Sequence, residues 1–128
     1  MTRNWPLIPV VLSFTMLAVA QGSLNAWIGT WDLNVDGLAH QLFVSNSDRT
    51  CNTNPWCALD LAYRDNNGNT HPARIITMSN ADSLVFEVKV DEHTTLRYDA
   101  YRFTRDHNRL AGVTRVGGVV RGFSGSRR

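Results

Sequence analysis

The chain has 128 residues, 13 Lys and Arg against 11 Asp and Glu, and a formal charge of +2. That near-balance excludes a global bias toward polyanions. No G-x-S-x-G, H-E-x-x-H or phosphate-binding loop occurs, which removes the motif-bearing hydrolases and nucleotide binders.

Arg3 supplies a positive start, and Leu7 to Ala20 is uncharged and mostly apolar. The run is short for a bilayer span, and Ala18-Val19-Ala20 puts small residues where a signal peptidase reads. Residues 1–20 therefore read as a secretory leader cleaved after Ala20. A cut after Ala26 is disfavoured by Leu24 at its −3 position, and an uncleaved anchor is the alternative. The product, secreted or periplasmic, is one domain over residues 21–128. A chain of that size buries roughly 65% of its unfolded surface.

Past the leader, no dozen residues carry apolar spacing of three and four; short alternating segments cut by turn signals predict an all-β meander. Trp27 to Val35 is the first strand, with Trp27, Gly29, Trp31, Leu33 and Val35 on one face. Asp36-Gly37 is a strong hairpin signal, and Leu38 to Ser45 pairs back. The polar loop Asn46 to Trp56 follows, then a third strand over Cys57 to Arg64. Asp65 to Asn69 is a turn, and Ala73 to Met78 is a fourth strand entered past Pro72. Leu84 to Val90 alternates cleanly. Thr94 to Thr104 is a sixth strand in which Leu96 and Tyr98 compete with Tyr101 and Phe103 for the inner face, which suggests a bulge. Leu110 to Arg115 and Val119 to Arg127 complete the set around Gly117-Gly118.

Eight strands with hairpin-length links are about the number that close a barrel filled by side chains or holding one small ligand. The predicted fold is an eight-stranded antiparallel up-and-down β-barrel. A two-sheet sandwich would need longer crossing connections.

Cys51 and Cys57 are the only cysteines, and secretion with an even count predicts a disulfide rather than free thiols. Lys89 is the only lysine, and seven Arg with a single acid fall between Arg102 and Arg128. That tract is either a polyanion surface or a set of solvated strand edges, and the second reading is preferred. His40, His71, His93 and His107 show no metal-ligand spacing. The Asp65–Asn69 loop has turn chemistry and lacks the Glu of an EF-hand loop. Asp60 would face a cavity only if the third strand had the opposite phase. No cofactor and no metal is expected.

Aromatic residues are the better candidates for binding, and Trp56, Tyr63 and Tyr98 are the predicted ligand contacts. Trp56 stands beside Pro55 in the cysteine-bridged loop, either as a sugar-stacking or partner contact or as a lid over the barrel.

Gly29-Thr30-Trp31 on the first strand resembles the G-x-W signature of lipocalin-like and avidin-like barrels. That resemblance implies a plugged barrel end in which a late Arg packs over Trp31. Arg121 and Arg127 share a phase on the last strand, and either suits the role. The biotin-binding tryptophans and polar ring of avidins are not found. A longer resemblance joins Trp27-x-Gly29-x-Trp31, Asp36-Gly37, Ala111-Gly112-Val113-Thr114, Gly122-Phe123 and Arg127. It is to a family of small secreted bacterial β-barrels reading W-x-G-x-W, H-D-G, A-G-x-T and G-F-x-A-x-R, with no settled activity. This chain has Val35 in place of the His and Gly125 in place of the last Ala. The chain is also similar to the small secreted inhibitors of bacterial metalloproteases, disulfide-bearing barrels opening with G-x-W. That similarity implies an inhibitory N-terminal segment, here Gln21 to Ala26.

The expected function is therefore non-catalytic. The chain reads as a secreted protein that binds a small ligand or carbohydrate at the barrel mouth or on the Trp56 loop. The alternative is a protease-inhibitor-like or other protein-interaction barrel. Neither nucleic acid nor, after leader removal, a membrane is an expected partner.

Overall fold

The computed structural model describes residues 25–52 and 54–128, and the expected leader lies outside them. Eight strands follow in chain order: β1 Gly29–Val35, β2 Leu38–Asn46, β3 Leu59–Arg64, β4 Thr70–Asn80, β5 Ser83–Lys89, β6 Thr95–Arg102, β7 Arg109–Val116 and β8 Val119–Arg127. Each pairs antiparallel with the next, and β8 returns to β1 through Trp31↔Arg127 to Val35↔Phe123, closing the barrel. Asp36 and Gly37 both take positive φ, +55° and +83°, the backbone a two-residue hairpin of right-twisted strands requires.

Period-two alternation sends one face of every strand inward. Trp31, Leu33, Val35, Leu42, Val44, Tyr63, Leu84, Phe86, Val88, Tyr98, Ala100, Leu110 and Phe123 are buried. Burying each large apolar side chain contributes roughly 1.5–3 kcal/mol. The interior is filled: Phe86 stacks on Tyr98 with centroids 4.9 Å apart, and Phe123 meets the Tyr98 ring edge-on at 5.5 Å.

Several boundaries differ from the sequence reading. Trp27 is not in β1; it lies in a turn where the Ile28 N–H donates to the Asn25 carbonyl at 3.3 Å. The strand begins only at Gly29, whose φ of +138° bends the chain and still leaves Trp27 fully buried. Cys57 and Ala58 belong to a 3-10 helix, Pro55–Ala58, because the Asn54 side chain caps the Cys57 N–H and Pro55 sits in the first turn. Pro72 is inside β4 rather than before it. Pro72 pairs with Ala62, and the ladder to β5 starts only at the next residue, Ala73↔Val88.

The phase of β6 is settled by its register, which runs unbroken from Lys89↔Thr95 to Ser83↔Tyr101. Tyr98 and Ala100 point in, whereas Tyr101 is 57% and Phe103 46% exposed. The bulges lie on β4 instead, between Ile75 and Thr77 and between Thr77 and Asn80. Gly125, the Ala of the resembled family, has no room for a side chain: a Cβ there would meet Leu33 Cδ2 at 2.6 Å and the Asp32 carbonyl at 2.8 Å.

Candidate functional site

One end of the barrel is sealed by Trp31. The Arg127 guanidinium lies 4.7 Å from the centroid of that indole, and the Trp31 Nε1–H donates to the Trp27 carbonyl at 2.9 Å. Arg127 also donates to the carbonyls of Ala26, Ile28 and His107 and to Asn108 Oδ1, at 2.7 to 3.3 Å. One side chain thereby ties the β1 entry to the β6–β7 loop. Burial, and then the charge of Arg102, lower its pKa. Gly29 makes room for it, since a Cβ at that position would stand 2.8 Å from Arg127 Cδ. Arg121 does not share this role. It is at the opposite end of β8, where its guanidinium bonds to the Asp36 carboxylate of the β1–β2 turn. The plug is thus Gly29, Trp31 and Arg127, with the Trp27 ring tilted against Trp31, centroids 5.6 Å apart.

The middle of the barrel holds Tyr63 and Tyr98. Each is 2% exposed, and the Tyr98 hydroxyl donates to the Tyr63 hydroxyl at 2.9 Å. Burial above all, then the Tyr98 phenol, pushes the Tyr63 phenol far above its usual value, and burial raises Tyr98 as well. Both are neutral interior groups enclosed by Phe86, Phe123 and His40. They are not surfaces on which a ligand can rest in this conformation.

Above that pair, the mouth gathers residues that sequence spacing left apart. His71 Nε2 is 2.7 Å from Asp65 Oδ2, whose other oxygen accepts the N–H groups of Asn67 and Asn69. The His71 bond, then the Asn69 bond, hold the Asp65 carboxyl below its ordinary value. His40 Nδ1 is buried with no partner among the described residues, and burial lowers the His40 pKa. Among the described residues no group of three or more His, Cys, Asp or Glu is placed to hold a metal.

The third feature is on the barrel wall. β3 pairs with β4 only from Leu61↔Ala73 to Arg64↔Thr70, although β3 begins at Leu59 and β4 continues to Asn80. Beyond Leu61 and Ala73 the strands part. Into that seam goes the 3-10 helix, held by the Cys51–Cys57 disulfide, with Trp56 half-buried against the core. A cleft of about 320 Å³ remains, lined by Trp56, Asn54, Asp60, Arg49, Arg74 and Ile75, among others. Asp60 keeps its outward phase and bonds to Arg49 at 2.5 Å, while the Arg49 Nε–H reaches the Cys57 carbonyl at 3.1 Å. Arg49 was not legible as a site residue; only the closed disulfide loop brings it over β3.

Most arginines are occupied in the same way. Arg49, Arg74, Arg97, Arg102, Arg121 and Arg128 each bond to an acid, and Arg64 lies over Phe43 at 5.3 Å. Apart from Arg97–Asp99, which lies within β6, these ion pairs join separate segments of the chain rather than leaving their arginines as one open basic face.

These features define the class: a closed, eight-stranded antiparallel up-and-down barrel, the architecture of lipocalin-like and avidin-like folds, with a filled interior and one wall seam. No protein-family model, curated protein or solved structure matches the chain, so the class rests on strand order, closure and packing.

Proposed function

We propose that this chain is a non-catalytic binding protein that acts outside the cytoplasm and takes its ligand on the outer surface, at the Trp56 cleft. The observation that carries the reading is the filled interior. Tyr63, Tyr98, Phe86 and Phe123 pack on one another and fill the middle of the barrel, among the described residues, between its sealed end and its mouth. Recognition then falls to the wall and loops, where Trp56 offers an aromatic surface flanked by Asn54, Arg49, Asp60 and Arg74. The disulfide and the leader-like N-terminus support an extracytoplasmic location. So does the likeness of Trp27-x-Gly29-x-Trp31 and the last strand to the small secreted bacterial barrels.

Two ligand classes suit a half-buried indole beside charged and amide groups: a sugar or small molecule, or a segment of another secreted protein. The unpaired strand edge beside the cleft favours the second. The inhibitory segment implied by likeness to metalloprotease inhibitors, Gln21 to Ala26, lies mostly outside the described residues. A panel of sugars, metabolites and peptides read by thermal shift tests the proposal. Binding should raise Tm in the wild type and be lost in Trp56→Ala. A ligand that stabilises both proteins equally removes the Trp56 cleft as the site.

A further inference from the structure

A closed barrel has no free strand edge, because every strand is paired on both sides. Here the ladders are staggered at several strand ends, and the longest run paired on one side only is on β4. β4 is paired to β5 as far as Asn80, but on its other side the ladder to β3 stops at Ala73. Among the described residues, no backbone hydrogen bond outside the sheet ladders reaches residues 74–79. Over these six residues, about 20 Å of strand, the β4 main-chain groups that face away from β5 therefore have no backbone partner. The opposite wall of the seam is similar: Leu59 and Asp60 pair with β2 but not with β4.

We propose that this seam binds an extended polypeptide segment, which adds to the β4 edge as an extra strand and sets one side chain in the Trp56 cleft. The inference rests on the Trp56 cleft being the binding site and names its ligand class. Three observations converge on a peptide rather than a sugar. First, the unmet groups are backbone N–H and C=O along a strand, which an extended main chain satisfies in register and a saccharide does not. Second, the cleft stands at the start of that edge: Ala73, Arg74 and Ile75 line it from β4, and Leu59, Asp60 and Leu61 from β3. Third, the covering element is separate from the ladder. The 3-10 helix is held by its own disulfide and by the Asn54 cap, so an incoming strand has no β3–β4 bonds to break. The β4 bulges bend this edge and so limit the partner to a short strand instead of another sheet.

The test uses the full domain with its disulfide intact and a displayed random heptapeptide library as the probe. Enriched peptides are made synthetically, bound in solution, and N-methylated one residue at a time. The expected result is an alternating pattern, with methylation at every second residue weakening binding about fivefold to tenfold, the loss of one main-chain hydrogen bond. Amide hydrogen exchange should show those amides of residues 74–79 that face away from β5 exchanging faster than β5 in the free protein and slowing on peptide binding. The inference is overturned by no enrichment, by affinity indifferent to N-methylation, or by finding every free-protein amide at 74–79, those facing away from β5 included, as slow as the amides of β5. A sugar panel read by Trp56 fluorescence runs in parallel. Sugar binding with failed peptide arms removes only the peptide inference, whereas failure of both removes the Trp56 cleft as the site.

Discussion

Arg127 Cζ lies 4.7 Å from the ring centroid of Trp31, joining the last strand to the first at the sealed end of the barrel. The contact has two parts. The guanidinium covers the indole face, and its N–H groups cap carbonyls at the entry to β1 and in the β6–β7 loop. Trp31→Ala should destabilise the domain by about 3–5 kcal/mol, as deletion of a large core aromatic does. Arg127→Lys should lose about 1–2 kcal/mol, because one ammonium cannot replace a planar fork with five N–H donors. Arg121→Ala should change stability by less than about 0.5 kcal/mol, as its ion pair is at an exposed turn. Urea melts of the three variants check the assignment, and equal losses in Arg121→Ala and Arg127→Lys would remove it.

The buried Tyr63–Tyr98 hydroxyl pair gives a second test. Tyr98→Phe alone leaves the Tyr63 hydroxyl without its donor in an apolar interior, a cost of about 1–3 kcal/mol. Removing both hydroxyls removes both desolvation penalties. The double variant should therefore be more stable than the sum of the single losses, by about 1 kcal/mol in a double-mutant cycle. Strict additivity would mean that the hydroxyls do not interact.

Acid should destabilise the domain in two separate windows. His40 is a base whose folded pKa is lowered by burial from the ordinary 6.5, so the unfolded chain takes up the proton first as pH falls. Its contribution is whole above about 6.5 and lost below it. Asp32, Asp65 and Asp91 are held below the ordinary 3.8, chiefly by bonds from Arg128, His71 and the His93 backbone N–H. Their contribution is present above that value and lost as pH falls toward the folded values. Thermal melts from pH 8 to pH 2 should show a decline below pH 6.5 and a second below pH 4. His40→Gln should abolish the first alone; a first decline unchanged in that variant would show that another group causes it.

The disulfide carries a stability effect and a functional one. Cys51→Ser with Cys57→Ser opens a short loop and should cost about 2 kcal/mol. It should also loosen the 3-10 helix, increasing solvent quenching of the Trp56 fraction of the fluorescence. A stability loss without any change in Trp56 exposure would mean that the Asn54 cap alone holds the cleft.

Much of this architecture is legible in the residues because strand alternation is a local property. Leu84, Phe86 and Val88 announce their common face without any partner, and Asp36-Gly37 announces its turn. The cysteine pair is likewise read from an even count behind a secretory leader, and Gly29-Thr30-Trp31 from its place on the first strand. What alternation does not carry is height along the barrel. Arg121 and Arg127 have the same phase, yet six residues of strand separate them by about 20 Å. Only the β8–β1 register puts Arg127 opposite Trp31 and leaves Arg121 at the far end. The same limit applies to Tyr63 and Tyr98, on strands that meet only across the barrel interior, and to His40, His71 and Asp65 at its mouth. Thus the sequence by itself determined the number and order of the strands, the inner faces of the cleanly alternating ones, the first turn and the staple, while the inner face of β6 waited on its register. The tertiary structure decided the plug arginine, the filled interior and the open seam between β3 and β4, because closure, stagger and bulges are set by all eight strands together.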